Sequence, residues 1–328
     1  MIYTNLKDSP GFYKQTLDLI EKSFNYSRDH SFEIDFYSLM QLSNRENAHI
    51  IVENDQVIAH IATLDQHFSI NGKTFPIRMY GGISVSESYR GRGLFKTLFN
   101  HLFKNEDVSM HFLWSDKIEL YQKYFFHPCI EMYEYEKNKV MNKHKYQIIK
   151  KRISDLSDTE LQMITNFYNK IHEYRIARDD QYWKMIKNFE SIDIHLIYFD
   201  NKLINYFLKN KGEDLTDIIH EYGLIDEHFL NIFLNYGKVW TPFLNNKNHP
   251  LSLFSSLCRI GDEKMFTSLI SEITPFKNVL INDQNISFKF EDKLYSESTP
   301  DFLNGVFGPG RYKEITSLPF YICGLDSI

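Results

Sequence analysis

The feature that most constrains this 328-residue chain is the run Arg90-Gly91-Arg92-Gly93, which lies between two regular elements. A β-rich stretch at 75–85 precedes it, and apolar residues at intervals of three and four follow it, so a helix is predicted to begin at the glycines. Such a junction offers unpaired backbone N–H groups at the positive end of a helix dipole. Glycines let a pyrophosphate come close to the backbone, and arginines add charge-assisted contacts. The sequence therefore predicts a phosphate-binding turn, although a plain surface turn can contain the same residues.

The elements around this turn are predicted from periodicity. Ser9 and Pro10 are typical of a helix start, and apolar residues at helical spacing follow them. Two β-rich runs around a polar turn predict a hairpin at 49–61, and Asn71-Gly72 leads into a third strand at 75–85. Beyond the glycines, the sequence predicts a short strand, a short aromatic helix and a further strand, at 111–114, 118–126 and 129–135.

The second half of the chain contains a weak echo of the first. Residues 195–207 repeat the strand, polar turn, strand layout of 49–61, which suggests a duplicated fold. No glycine-rich turn occurs at 223–238, so the second copy is not expected to bind phosphate. A basic, polar stretch at 137–152 lacks an apolar period and marks the boundary. We therefore predict one unit at 1–140 and a second, altered unit at 141–328.

These residues resemble the GCN5-related N-acetyltransferase (GNAT) family, whose acyl-CoA signature is Arg/Gln-x-x-Gly-x-Gly/Ala. Arg90, Gly93 and Phe95 occupy its three places, with Phe95 replacing the usual small residue. The segment 120–126, Leu-Tyr-Gln-Lys-Tyr-Phe-Phe, is similar to the family's Leu-Tyr-x-x-x-Gly-Phe, with Phe125 in place of glycine. The resemblance implies an α/β (α+β) class: a mixed, mostly antiparallel sheet flanked by helices, followed by a degenerate GNAT-like unit. That tandem arrangement resembles enhanced-intracellular-survival-type acetyltransferases and, more distantly, N-myristoyltransferases.

The resemblance also implies the residues that bind acyl-CoA. The strand edge is expected to hold the pantetheine and thioester, and the turn and helix start to hold the pyrophosphate. The implied residues are Ile83, Ser84 and Val85 on the strand, and Arg90, Gly91, Arg92, Gly93, Leu94, Phe95 and Lys96 at the turn.

Two catalytic groups are expected on the same grounds. Tyr121 falls on the family's tyrosine, where a phenol protonates the leaving thiolate, although a core tyrosine would have the same surroundings in sequence. The strand at 75–85 contains no carboxylate that could act as general base. In tandem relatives the terminal carboxylate serves, which implies Ile328. Asp326 and a water chain are rivals, and the end of the chain could also be only the last strand of its domain.

The function implied is an N-acyltransferase that moves acetyl from acetyl-CoA to a primary amine by direct attack in a ternary complex. The acceptor is expected to be a small molecule or a peptide, and the acidic balance mildly favours a cation such as an aminoglycoside, a polyamine or a lysine side chain. Two alternatives stay open: a non-catalytic CoA-binding sensor and a longer-chain acyltransferase. The abundance of aromatic residues, at 16%, motivates the second alternative.

Composition limits the other classes of function. The net charge of -6 provides no general basic field, so no nucleic-acid or membrane partner is expected. No signal peptide or apolar span is predicted, and three widely spaced cysteines argue against a disulfide framework or a zinc cluster, which together favour a cytoplasmic protein. The 13 histidines lack metal-binding spacing, so no metal is expected. Arg175 and Arg178 are assigned to surface salt bridges, without a catalytic role.

Overall fold

One large sheet forms the framework of the molecule. The structure is a computed structural model that describes residues 1–27, 29–104, 107–138, 145–171, 174–242, 250–282, 284–308, 312 and 322–328. Its main sheet has 13 strands, mostly antiparallel, and helices pack against it. The predicted α/β class with a mixed, mostly antiparallel sheet is confirmed.

The first half of the chain has the elements that the periodicity predicts. The hairpin at 49–61 and the third strand are confirmed, and the helix predicted at 118–126 is shorter, ending at residue 122. The elements are β1 (Ile2–Asn5), α1 (Tyr13–Ser23), α2 (Phe32–Asp35), α3 (Tyr37–Met40), β2 (Ala48–Glu53), β3 (Gln56–Ile70), β4 (Lys73–Val85), α4 (Leu94–Leu102), β5 (Met110–Leu113), α5 (Ile118–Gln122) and β6 (His127–Tyr135).

The next part of the chain confirms the predicted second hairpin at 195–207. Its elements are β7 (Gln147–Arg152), α6 (Asp158–Ile171), β8 (Tyr174–Ile176), α7 (Asp180–Met185), β9 (Asp193–Phe199), β10 (Lys202–Lys209), β11 (Ile218–Tyr222), α8 (Glu227–Phe233) and β12 (Lys238–Thr241). The residues on which the predicted boundary at 140 and 141 falls lie outside the described ranges.

The two halves have matching strand orders. In the first half the sheet runs β1-β2-β3-β4-β5, and in the second it runs β7-β9-β10-β11-β12. The last pair is parallel in both, β4 with β5 and β11 with β12, and a helix connects the two strands of each pair. A parallel pair needs such a crossover, so each half repeats the same topology.

The last part of the chain joins both halves. Its elements are β13 (Leu251–Ile260), α9 (Glu263–Ile273), β14 (Lys277–Asn282), β15 (Asn285–Phe290), β16 (Lys293–Ser298) and α10 (Thr299–Phe307). Strand β13 inserts between β5 and β6 of the main sheet, and β6 pairs on its other side with β12. Strands β14, β15 and β16 form a separate small sheet whose buried face joins the core of the first half.

A disulfide crosses this insertion. Cys129 on β6 and Cys258 on β13 are bonded, with their Cα atoms 6.1 Å apart, so the argument against disulfides was wrong for this pair. The two cysteines are 129 positions apart, and only the return of β13 to the first half brings them together. Cys323 is free and buried.

Within the described ranges, no helix combines the length and the apolar character needed to span a membrane.

Candidate active site

The central feature of the site is a gap between β4 and β5. The two strands pair from Ile77 with Met110 to Tyr80 with Leu113, and then separate. Among the described residues, no strand pairs with 81–85 on the side of β5. Unpaired backbone groups at a strand edge can bind an extended amide chain by adding to the ladder. The predicted pantetheine-binding residues, Ile83, Ser84 and Val85, lie on this edge and line the cavity described below.

A β-bulge shapes this edge. The register between β3 and β4 shifts between His60 and Ala62, so β4 has an extra residue there. Gly82 has a φ of +61°, and its carbonyl oxygen lies 2.7 Å from Nδ1 of the fully buried His60. Burial lowers the pKa of His60 to about 4, so the neutral ring donates to this carbonyl and holds the bulge.

The predicted phosphate-binding turn lies at one end of the gap. Gly91 and Gly93 both have left-handed backbones, with φ of +78° and +77°, and a Cβ at either would meet no atom within 4 Å. Gly93 is the N-cap of α4 and has no side chain to cap it, so the first-turn amides stay available. The open space and the exposed amides fit a pyrophosphate group.

The other predicted residues of the turn divide into two groups. Arg90, Leu94 and Phe95 line the cavity together with both glycines. Arg92 and Lys96 do not line it, and the Arg92 guanidinium lies over the Tyr89 ring, 4.6 Å from its centre. The structure therefore brings eight of the ten predicted acyl-CoA residues to one cavity: Ile83, Ser84, Val85, Arg90, Gly91, Gly93, Leu94 and Phe95.

Tyr121 lies on the opposite wall of the gap, on α5. It is 7% exposed, lines the cavity and packs against Phe95, with ring centres 5.5 Å apart. Burial raises the pKa of its hydroxyl to about 12, and a hydrogen bond with Ser115 opposes that rise. The phenol therefore keeps its proton at neutral pH. Phe125, in the place of the family's glycine, has a φ of +64°, which explains why α5 ends early.

The cavity extends from this gap to the second half of the chain and has a volume of about 1020 Å³. Aromatic rings from the segment between α1 and α3 form one wall: Phe24, Tyr26, Phe32 and Phe36. The second half supplies Lys211, Asp214, Leu215 and Trp240, and the C-terminal segment supplies Ile322, Gly324, Ser327 and Ile328. A single cavity thus reaches both halves of the chain.

Ile328 lies against β4 and lines the cavity. A Cβ built on Gly81 would lie 3.1 Å from the carbonyl carbon of Ile328 and 2.9 Å from the Leu39 side chain, so glycine favours this close approach. Ile328 is 8% exposed, and its neighbour Ser327 also lines the cavity. The C-terminal carboxyl group of this chain is therefore placed beside the strand that forms the gap.

Asp326, the rival base, is engaged elsewhere. It is 1% exposed, is not part of the cavity lining, and accepts hydrogen bonds from Nη2 of Arg178 at 2.7 Å and from Tyr182 at 2.8 Å. Arg178 also binds Glu221, at 2.6 Å, and its side chain is fully buried. The assignment of Arg178 to a surface salt bridge was wrong, because packing of the C-terminal segment against the second half buries it.

Within the described part of the chain, three residues of this cluster have ligand atoms close enough together to hold a metal ion. These atoms, from Glu221, Cys323 and Asp326, lie within 4.8 Å of one another. The guanidinium of Arg178 already pairs with both carboxylates and supplies the positive charge that they require.

The start of α8 in the second half differs from the start of α4 in its N-cap residue. Helix α8 begins after Asp226, whose carboxylate accepts a hydrogen bond from the N–H of Phe229 at 2.7 Å. A carboxylate at this position takes up a first-turn amide and repels a phosphate. This contact disfavours a phosphate at the start of α8.

Several lining residues were missed by the sequence analysis. Gly81 and Gly82 offered a signal, since paired glycines inside a strand pattern indicate a bulge or a close backbone approach. Lys211, Asp214 and Trp240 offered none, because they reach the cavity only when the two halves pack together.

Comparison with known proteins identifies the class. Residues 8–129 match the family model described as acetyltransferase (GNAT) domain, so the resemblance based on the two motifs is confirmed. Over these residues the chain is therefore similar to a GNAT domain. No curated protein sequence is significantly similar to the chain.

Solved structures show the same fold over most of the length. A GCN5-related N-acetyltransferase from Anabaena variabilis has 15% identity and a TM-score of 0.63, covering 93% of this chain and 89% of its own. A probable N-acyltransferase from Enterococcus faecalis V583 has 14% identity and a TM-score of 0.59, with 90% and 84% covered. Eis1 from Mycobacterium abscessus has 10% identity and a TM-score of 0.60, with 95% and 90% covered. The fold is therefore that of GNAT proteins well beyond the matched domain.

Proposed function

We propose that this protein is an N-acyltransferase that moves an acetyl group from acetyl-CoA to a primary amine in a ternary complex. One observation carries the proposal: the cavity of about 1020 Å³ joins the gap between β4 and β5 to a wall made by the second half. A donor in the gap and an acceptor at that wall would meet beside Val85. Direct attack requires the amine nitrogen and the thioester carbon to lie close together.

The donor would occupy the predicted residues. The edge formed by Ile83, Ser84 and Val85 would bind the pantetheine, and the amides at Gly91 and Gly93 the pyrophosphate, with Arg90 adding charge. The strand-edge amides near Val85 would polarise the thioester oxygen as charge develops on it. The positions of Arg92 and Lys96 outside the lining assign them a weaker role than the sequence analysis gave them.

Two groups would move protons. Tyr121 would protonate the leaving thiolate, which its raised pKa of about 12 permits at neutral pH. The Ile328 carboxylate would accept the proton of the attacking ammonium, because Ile328 lies beside Gly81 and lines the cavity. The engagement of Asp326 by Arg178 and Tyr182 favours Ile328 over this rival.

The acceptor side supports a cationic substrate with an apolar body. The cavity is also lined by four aromatic rings of the first half, and such rings bind apolar groups and attract cations to their faces. The hydroxyl of Tyr26 has its pKa raised by burial and by four nearby carboxyl groups, Asp35, Asp214, Glu21 and Glu213. An amine of the polyamine, aminoglycoside or lysine kind would be concentrated there.

The division of labour follows the two units, 1–140 and 141–328. The matching strand orders support a duplicated fold, and Asp226 at the start of α8 supports a second copy without a donor site. The first unit would bind acyl-CoA and the second would shape the acceptor wall through Lys211, Asp214 and Trp240.

Thiol release tests the proposal directly. Wild-type protein would be incubated with acetyl-CoA and a panel of spermidine, an aminoglycoside and a lysine peptide, while melting temperature reports donor binding. We expect acetyl-CoA to raise the melting temperature and at least one amine to yield free thiol. Stabilisation without thiol release would favour the CoA-binding sensor, and no stabilisation by any acyl-CoA would remove both interpretations.

The size and aromatic lining of the cavity also favour a second candidate, transfer of a longer acyl chain. Octanoyl- and myristoyl-CoA would be compared with acetyl-CoA in the same assay. A larger thermal shift and faster thiol release with the longer donors would show that a longer acyl group, and not acetyl, is the group transferred.

The base is tested by extending the chain. Three serine residues added after residue 328 would move the carboxylate away from Gly81. We expect a loss of turnover of about a hundredfold or more, as for removal of a general base, with acetyl-CoA binding unchanged. Full activity in the extended protein would eliminate the Ile328 carboxylate.

A further inference from the structure

Lys211 is a buried lysine in the wall of the cavity, 1% exposed. Its ammonium donates to the carbonyl oxygens of Gly324 at 2.8 Å, Leu325 at 3.2 Å and Ser327. An ammonium has three N–H donors, and here one segment of the chain accepts all of them. These hydrogen bonds, which we call the clamp, hold residues 324–327 against Lys211.

The clamped segment is folded so that these carbonyls converge. The backbone N–H groups of Asp326 and Ser327 both donate to the carbonyl oxygen of Cys323 at 3.0 Å, which makes a tight turn. Gly324 packs so closely on the second half that a Cβ would lie 2.6 Å from His220. The turn is fitted both to Lys211 and to the wall behind it.

A second contact fixes the other side of the turn. The Arg178 guanidinium binds the Asp326 carboxylate at 2.7 Å and 3.0 Å and the Glu221 carboxylate at 2.6 Å. Arg178 and its two carboxylate partners, Asp326 and Glu221, are all buried. Buried charges are tolerated only when they are paired in this way.

We propose that Lys211 is a positioning residue, which holds residues 322–328 against β4 and thereby places Ile328 beside Gly81. The inference rests on the proposed function for its catalytic consequence, since the segment carries the carboxyl group assigned there as base. Lys211 acts through the backbone of the turn and requires no contact with the reacting atoms. Its loss would release the segment, lower turnover and leave the donor site at Gly91 and Gly93 intact.

Hydrogen exchange measured by mass spectrometry tests the clamp without any substrate. Lys211→Met removes the ammonium, which lies over the Phe36 and Phe189 rings, and keeps most of the apolar stem, whereas Lys211→Arg restores a donor. Lys209→Met is the matched control, because that lysine, two positions earlier, donates to the Tyr236 carbonyl outside the cavity. We expect Lys211→Met to speed exchange in the C-terminal peptide at least tenfold, Lys211→Arg to restore part of the protection, and Lys209→Met to change nothing there.

Turnover is then measured on the same proteins. For Lys211→Met we expect kcat to fall tenfold or more while KM for acetyl-CoA stays within threefold, a split that general destabilisation would not produce. Unchanged exchange of the C-terminal peptide in Lys211→Met would overturn the proposal, and so would a released segment with unchanged kcat.

Two further results keep the outcome decisive. If Lys211→Met does not fold, Asp326→Asn loosens the same turn from the Arg178 side, and faster exchange with lower kcat is again expected. If the wild type acylates no amine, the proposed function fails, whereas the exchange measurement still decides whether Lys211 holds the segment.

Discussion

Replacement of Tyr121 by phenylalanine isolates the proposed acid from everything else in the cavity. The substitution removes one oxygen atom from a side chain that is 7% exposed and keeps the ring that packs against Phe95. Loss of a general acid slows a reaction about a hundred- to ten-thousandfold. We expect kcat for thiol release to fall by that factor, while the dissociation constant of acetyl-CoA changes less than threefold.

The structural cost of Tyr121→Phe is small by comparison. The hydroxyl loses one hydrogen bond, with Ser115, which contributes about 0.5–1.5 kcal/mol. For 328 residues the unfolding entropy is about 0.7 kcal/mol per kelvin, so the melting temperature should fall by only about 1–2 K. Loss of activity therefore cannot be attributed to unfolding.

Tyr124→Phe provides the matched control. Tyr124 follows on the same segment and packs against the same Phe95 ring, at 5.2 Å, yet it does not line the cavity. Its substitution should leave kcat unchanged. Because the pKa of Tyr121 is about 12, the wild-type rate should show no alkaline loss from this group between pH 7 and 10. A kcat for Tyr121→Phe within threefold of wild type would refute the assignment.

Three other predictions concern the backbone and the buried histidines. Gly93→Ala puts a Cβ in open space but strains a φ of +77° by about 1–2 kcal/mol, so relaxation of the turn should raise the acetyl-CoA dissociation constant about five- to thirtyfold. Calorimetric titration checks this, and Gly72→Ala, with the same φ of +77° in a turn outside the cavity, should not alter affinity. Phe125→Gly relieves a φ of +64° at a 59% exposed side chain and should stabilise the fold by about 1 kcal/mol in urea titration; destabilisation would contradict that view of the strain. Burial lowers the pKa of four histidines to about 4, below the usual 6.5, so the unfolded chain binds more protons between pH 4 and 6.5 and stability must fall as pH drops through that window. The loss should approach about 1.4 kcal/mol per pH unit for each histidine, and His60→Gln should reduce the slope by one such share; a flat stability profile would exclude neutral burial.

The local elements of the first half were predictable because each one is encoded within a short window. The hairpin at 49–61, the turn at Asn71-Gly72 and the helix after Gly93 depend on alternation, turn residues and apolar spacing, and the structure has all three. Eight of the ten predicted donor residues line one cavity for the same reason, since a strand, a turn and a helix in sequence form that wall. Arg92 and Lys96 do not line it, because spacing does not specify which way a side chain at a turn points.

The long-range contacts could not be predicted from the sequence, because they depend on which distant strands pair. Cys129 meets Cys258 only because β13 inserts next to β6, whereas the count and spacing of the cysteines argued against a disulfide framework. The sequence predicted Arg178 to lie at the surface, but the C-terminal segment covers it and supplies Asp326 as its ion-pair partner. The early end of α5 at residue 122 was missed because a phenylalanine occupies a backbone conformation that glycine usually takes.

By itself, the sequence predicted a phosphate-binding turn at Arg90 to Gly93 inside a GNAT-like arrangement, and it showed a second half that repeats the hairpin without such a glycine-rich turn. Those features are local, because alternation, glycine and helix starts act over a few residues. Only the tertiary structure decided what completes the cavity. Lys211 and Asp214 come from the second half and Ile328 from the C-terminal segment. Packing of these two segments against the first half brings all three residues to the cavity.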